Sequence, residues 1–116
     1  WELGNEYNYH PEWFEGDMKN WYNAMNNAAQ LIHENDFSHP VATAHGELPD
    51  ALALSLSPNI DVWGMNVYRW DNPTTIFSEW SSVSSKPMYL SEAGGDSYMT
   101  ITKSGYEKGI KYIDRF

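Results

Sequence analysis

Segments with the character of buried strands alternate with segments of helical period along this chain, and that alternation constrains the fold more than any other feature. Val41-Ala-Thr-Ala-His45 is short and follows Pro40. Ile60-Asp-Val-Trp-Gly-Met-Asn-Val-Tyr68 is the strongest, rich in β-branched and aromatic residues. Pro87-Met-Tyr-Leu-Ser-Glu92 runs into the turn signal Gly94-Gly95. Near-continuous apolar character suits parallel strands covered on both faces. Trp1-Glu-Leu-Gly4 reads as the end of a fourth such strand, and the initial Trp as a processed or cut start. Between the strands, Met18, Trp21, Met25, Ala28, Ala29 and Ile32 make one helical face from about Asp17 to Glu34, with Asp17 as N-cap. Asp50 to Leu56 predicts a short helix. Asn72-Pro73 reads as a cap followed by proline at the first helical position, with Ile76, Phe77, Trp80 and Val83 as the buried stripe. Tyr106, Ile110 and Ile113 predict a last helix over Ser104 to Phe116.

This order is that of an α/β fold with a parallel sheet and right-handed crossovers. An open doubly wound sheet satisfies it, and so does an arc of a (β/α)8 barrel. A barrel takes about 250 residues. The 116 residues would then be one domain amounting to roughly half a barrel.

Charge and composition narrow the partners. Seven Lys plus Arg against sixteen Asp plus Glu give a net charge of −9. That disfavours nucleic acid, whose binding rests on neutralising phosphates with basic side chains, and it disfavours an anionic membrane surface. No apolar run is long enough for a transmembrane helix. The chain has no Cys, so disulfides and thiolate metal sites are excluded, and the absence suits an exported protein. His10, His33, His39 and His45 fit no zinc-binding spacing, and no metal or cofactor is implied. Six Trp and eight Tyr fit either a packed core and its rim or the stacking of rings on the C–H faces of sugars.

Two carboxylates stand out by position. Glu6 and Glu92 each lie at the C-terminal end of a predicted parallel strand, the edge that carries catalytic groups in barrels and open α/β sheets alike. A pair of carboxyl groups is the minimum equipment for glycoside hydrolysis. One protonates the leaving oxygen; the other attacks the anomeric carbon or activates water.

Trp1-Glu-Leu-Gly-Asn5-Glu6 and Lys86-Pro-Met-Tyr-Leu-Ser-Glu92-Ala-Gly94 together resemble the two catalytic motifs of retaining glycoside hydrolases of clan A, nearest to barrels of the family 2 type and similar to the fungal-type β-1,3-glucanosyltransferases. The resemblance spans essentially the whole chain. It implies the stretch from the end of the fourth barrel strand to the seventh helix, with the acid/base at Glu6 and the nucleophile at Glu92. Asn66-Val67-Tyr68 matches the expected polar residue, spacer and Tyr of the sixth strand. By this resemblance Tyr68 donates a hydrogen bond to Glu92, Asn5 holds the sugar 2-hydroxyl, and Asn66 lies in the substrate-binding set. Gly4 allows close backbone passage. The implied partner is a β-linked oligo- or polysaccharide, cleaved by double displacement without a cofactor.

Further candidates follow from position. His45 and Glu47, after the fifth strand, are expected to line the cleft. Arg69 and Trp70 are expected beside a neighbouring sugar, and Asp96 and Tyr98 near substrate beyond the nucleophile. Trp63 is expected in the core. Family members also draw on the first three strands and the eighth. A chain of this extent is therefore expected to show little hydrolysis alone, and to self-associate through unpaired barrel edges. The alternative is a non-catalytic α/β module that binds carbohydrate or assembles with a second half.

Overall fold

The computed structural model describes residues 1–69 and 73–94. Strands β1 (Glu2–Asn5), β2 (Ala42–Gly46), β3 (Val62–Val67) and β4 (Met88–Ala93) form a 4-stranded sheet in the order β1-β2-β3-β4. Every pairing is parallel. Helices α1 (Met18–Asn35), α2 (Ala51–Leu56) and α3 (Thr75–Val83) make the connections, and two short 3-10 turns, Tyr7–Tyr9 and Pro11–Phe14, precede α1. The α/β class with alternating parallel strands is thus the observed architecture. The strand order never reverses.

Local chemistry sets the helix ends. The Asp17 carboxylate accepts from the Lys19 amide at 3.0 Å and caps α1, as the sequence predicts. Asp50 caps α2 in the same way, accepting from the Ala53 amide at 2.7 Å. Helix α3 departs from expectation. Pro73 lies in a turn, its carbonyl accepting from the Ile76 amide at 3.2 Å, and the helix starts two residues later. Asn72 and the helix predicted over 104–116 lie outside the described residues.

Strand alternation sorts the two faces of the sheet. Trp63, Met65 and Val67 of β3 point one way, into a single cluster with Tyr22, Met25 and Ala29 of α1, Ala53 of α2, and Ile76 and Trp80 of α3. All three helices therefore cover the same face. Trp63 is 1% exposed, with its ring 6.1 Å from that of Trp80, in the core as expected. Phe77 and Val83 of the predicted α3 stripe are instead exposed. Ile76 and Trp80, four apart, already fill the contact of this short helix with the sheet.

The opposite face carries small residues: Ala42, Ala44 and Gly46 of β2, with Gly64 of β3 in register beside Ala44. Above Gly64 lies Tyr89, so close that a Cβ there would sit 2.8 Å from its Cζ and from its hydroxyl oxygen. The Tyr89 hydroxyl of β4 reaches the Glu2 carboxylate of β1 at 2.5 Å. On a flat sheet, side chains standing perpendicular on strands three spacings apart would stay about 14 Å apart. The sheet is therefore curved, with this small-residue face on the concave side.

Candidate active site

The C-terminal ends of the strands gather the polar groups. Pairing continues past the formal end of β1: the Glu6 amide donates to the Ala44 carbonyl at 2.9 Å. The Glu47 amide likewise donates to the Asn66 carbonyl at 3.0 Å. Both carboxylate residues are thus fixed by backbone bonds to the neighbouring strand. Both also adopt left-handed backbone, with φ 50° at Glu6 and φ 61° at Glu47. Non-glycine residues pay sterically for that conformation and hold it where surrounding structure enforces it.

Two irregularities in pairing aim the side chains. Along β1, Glu2 is level with Ala42 but Asn5 with Ala44, so three steps on β1 match two on β2. Gly4, at φ 74°, absorbs the extra residue. This bulge turns Asn5 to the concave face, where plain alternation from Leu3 would send it to the helices. Along β4, Leu90 is level with Met65 and Glu92 with Asn66, leaving Ser91 as the extra residue. Ser91 and Glu92 consequently both reach partners on the concave side, although they are consecutive.

The resulting contacts run across the sheet. The Tyr68 hydroxyl donates to Glu92 Oε2 at 2.7 Å, within the 2.6–3.2 Å reach on which such a contact depends. Asn66 Nδ2 donates to Asn5 Oδ1 at 3.0 Å and to Glu6 Oε1 at 3.1 Å. The Ser91 hydroxyl donates to Asn66 Oδ1 at 2.6 Å. Asn5, Glu6, Asn66, Tyr68 and Glu92 therefore belong to one region at one edge of the sheet. Glu6 and Glu92 are partly exposed, so a ligand has access to both.

Other candidates have different surroundings. Glu47 is held by Arg69, whose Nε and Nη2 donate to it at 3.1 and 2.7 Å. Arg69 Nη1 and Nη2 also donate to Glu79 at 2.7 and 2.8 Å. Arg69 keeps the Glu79 carboxyl below its ordinary range. Glu47 and Arg69 thus form an ion cluster at the rim. His45 corrects the expectation of a cleft-lining side chain. It is 4% exposed on the helix-covered face, with its ring 5.6 Å from Tyr7 and 6.1 Å from Trp63. His45 is level with Met65, so strand alternation turns it toward the helices. Burial pushes its imidazole below the ordinary value, and Nδ1 bonds the Glu47 carbonyl at 3.0 Å. Trp70, Asp96 and Tyr98 lie outside the described residues.

Two residues at the site were not singled out from sequence. One is Ser91, whose only signal is its place before Glu92. The other is Tyr9, whose ring packs over Gly46. Burial first, then the charges of Glu47 and Glu6, raise its hydroxyl above the ordinary value, so both carboxylates act on Tyr9. Asn8 fastens this turn to β2, donating to the Gly46 carbonyl at 3.0 Å and accepting from its amide at 2.8 Å.

Among the described residues no helix is long and apolar enough to cross a membrane, and no group of three or more His, Cys, Asp and Glu is placed to hold a metal ion. A hollow of about 450 Å³ lined by His33, Phe37, His39 and Asp61 lies toward the start of β2, at the opposite edge of the sheet. Comparison with known proteins returned no match: no family model, curated protein or solved structure matches this chain.

Proposed function

We propose that this chain carries the acid/base and nucleophile of a retaining β-glycoside hydrolase or transglycosidase acting on a β-linked glycan. The observation that carries the reading is the Tyr68 hydroxyl on Glu92, at the same sheet edge as the Asn5–Glu6 pair. In this reading Glu92 attacks the anomeric carbon, forming the glycosyl-enzyme. Glu6 gives a proton to the leaving oxygen, then takes one from water or an acceptor sugar. Tyr68 orients Glu92 and moderates its charge. In the same reading Asn5 meets the sugar 2-hydroxyl.

The same reading makes the fold about half of a (β/α)8 barrel. Unreversed strand order, helices on one face and curvature toward the opposite face support it. Among the described residues no strand pairs with the outer edges of β1 and β4. Such edges favour self-association or aggregation in the isolated chain.

The test is covalent trapping. In a protein that joins this chain to the remaining strands the barrel reading requires, a 2-deoxy-2-fluoro β-glycoside with an activated leaving group should label the peptide containing Glu92, read by mass spectrometry, and Glu92→Gln should abolish the label. Glu6→Gln should slow poor leaving groups by about 10²–10⁴-fold and activated ones far less, because only the former need the proton. Sugar binding without any labelling would favour the non-catalytic module.

A further inference from the structure

Asn66 was expected among the substrate-binding residues, but the structure leaves it no group for a sugar. It is 2% exposed. Its Nδ2 serves Asn5 and Glu6, and its Oδ1 receives the Ser91 hydroxyl. Both amide protons and the carbonyl are engaged by protein atoms.

We infer that Asn66, supported by Ser91, is a positioning residue that fixes which oxygen of Glu6 carries the catalytic proton. This rests on Glu6 being the proton donor. A carboxylic acid has one protonated and one bare oxygen. An N–H donor 3.1 Å from Oε1 bonds a bare carbonyl oxygen better than a hydroxyl oxygen, which biases the proton toward Oε2. A reversed amide would present its carbonyl to Oε1 and draw the acid proton into an internal bond, away from the leaving group. It would also set that carbonyl against Asn5 Oδ1, lone pair against lone pair. Ser91 adds to the observed orientation by donating to the carbonyl and polarising the amide, which strengthens its N–H bonds. In the cleavage step, the Oε2 proton passes to the glycosidic oxygen as that oxygen takes the C–O electron pair. A Glu92 oxygen meanwhile bonds the anomeric carbon. Glu6 is left as a carboxylate that still accepts from Asn66.

The experiment has two arms, the first on this chain and the second on the protein that joins it to the remaining barrel strands. In the first, nitrogen-15-labelled protein is examined by NMR. The Asn66 side-chain amide should exchange slowly with solvent, and its resonances should move in Glu6→Gln and in Ser91→Ala. Free exchange, or resonances unmoved by both variants, would overturn the inference whether or not the protein turns over substrate. In the second arm, Asn66→Asp and Ser91→Ala are assayed on aryl β-glycosides. Asn66→Asp should lower kcat for poor leaving groups by about 10²-fold, the cost of misplacing a catalytic group by about an ångström, with KM little changed. Ser91→Ala should do so less, and Ser91→Thr should restore the rate. A uniform rise in KM on all substrates would return Asn66 to sugar binding. If Glu6→Gln shows no leaving-group dependence, the assignment of Glu6 fails, and the NMR arm still decides the Asn66 contact.

Discussion

Gly4 shows how one residue governs the site's aim. It holds φ 74°, and a Cβ there would lie 2.7 Å from Trp21 and 2.9 Å from Tyr7 side-chain atoms. Those two rings, 5.1 Å apart, pack under the strand and cannot both move aside cheaply. Left-handed backbone costs a residue with a Cβ roughly 1–2 kcal/mol, and overpacking adds about 1–3 kcal/mol. Gly4→Ala should therefore destabilise the fold by about 2–5 kcal/mol, read as a lower urea midpoint at unchanged slope. It should also disturb Asn5 and Glu6, because the bulge that turns them is centred on it. A near-neutral substitution would show that the bulge can form without glycine. The carboxylates themselves were legible as letters: an Asn-Glu at one predicted strand end, a Glu at another. Ser91 and Tyr9 were not, since each acts through neighbours distant in sequence. His45 misled because its place near a strand end says nothing about which face it takes.

At the scale of elements, packing and capping separate cleanly. Trp63 joins the sheet to α3, with its ring against Trp80 and 1% of its surface exposed. Trp63→Ala should cost about 3–5 kcal/mol, a large share of the roughly 5–15 kcal/mol that holds an ordinary domain folded, read as a lower melting midpoint by circular dichroism. Asp17→Ala removes only the cap of α1 and should cost about 1 kcal/mol. If the two cost the same, capping of α1 would matter as much to the fold as the packing of the sheet against α3. The strands and helices were largely legible, within a residue or two, because their apolar periods are strong. The start of α3 was not, because an Asn-Pro pair serves a turn as well as a helix cap. Nor were the bulges in β1 and β4. Each adds one residue to one strand, which composition does not mark, yet together they decide that Asn5, Ser91 and Glu92 find partners on the concave side.

For the whole molecule the decisive feature is curvature, and the bond that spans it is titratable. Tyr89 on β4 donates to Glu2 on β1 across the concave face. Burial, then the hydrogen bond and charge of Glu2, push the Tyr89 hydroxyl up to about 12 from an ordinary 10.0. Tyr22 is pushed up to about 12 by burial and then by the charge of Asp50, and burial raises Tyr7 as well. The sign follows from which form the fold prefers. A raised tyrosine favours the protonated form in the folded state, so its stabilisation is complete below about pH 10 and is lost as pH rises toward about 12. The urea midpoint should accordingly be flat from neutral pH to about pH 10 and then fall. Tyr89→Phe should lower the plateau by about 1 kcal/mol, a modest figure because the bond lies toward solvent, and should also reduce the alkaline fall. Part of the fall should remain, because Tyr7 and Tyr22 still titrate. Glu2→Gln separates bond from charge. It keeps an acceptor for the Tyr89 hydroxyl but removes the carboxylate that opposes the phenolate, so the alkaline fall should shrink while the plateau changes less than in Tyr89→Phe. Midpoints measured at about pH 8 and about pH 11 for the three proteins decide the matter. An alkaline fall of equal size in all three would mean that β1 and β4 are not joined across the concave face, and the curvature would then need another cause.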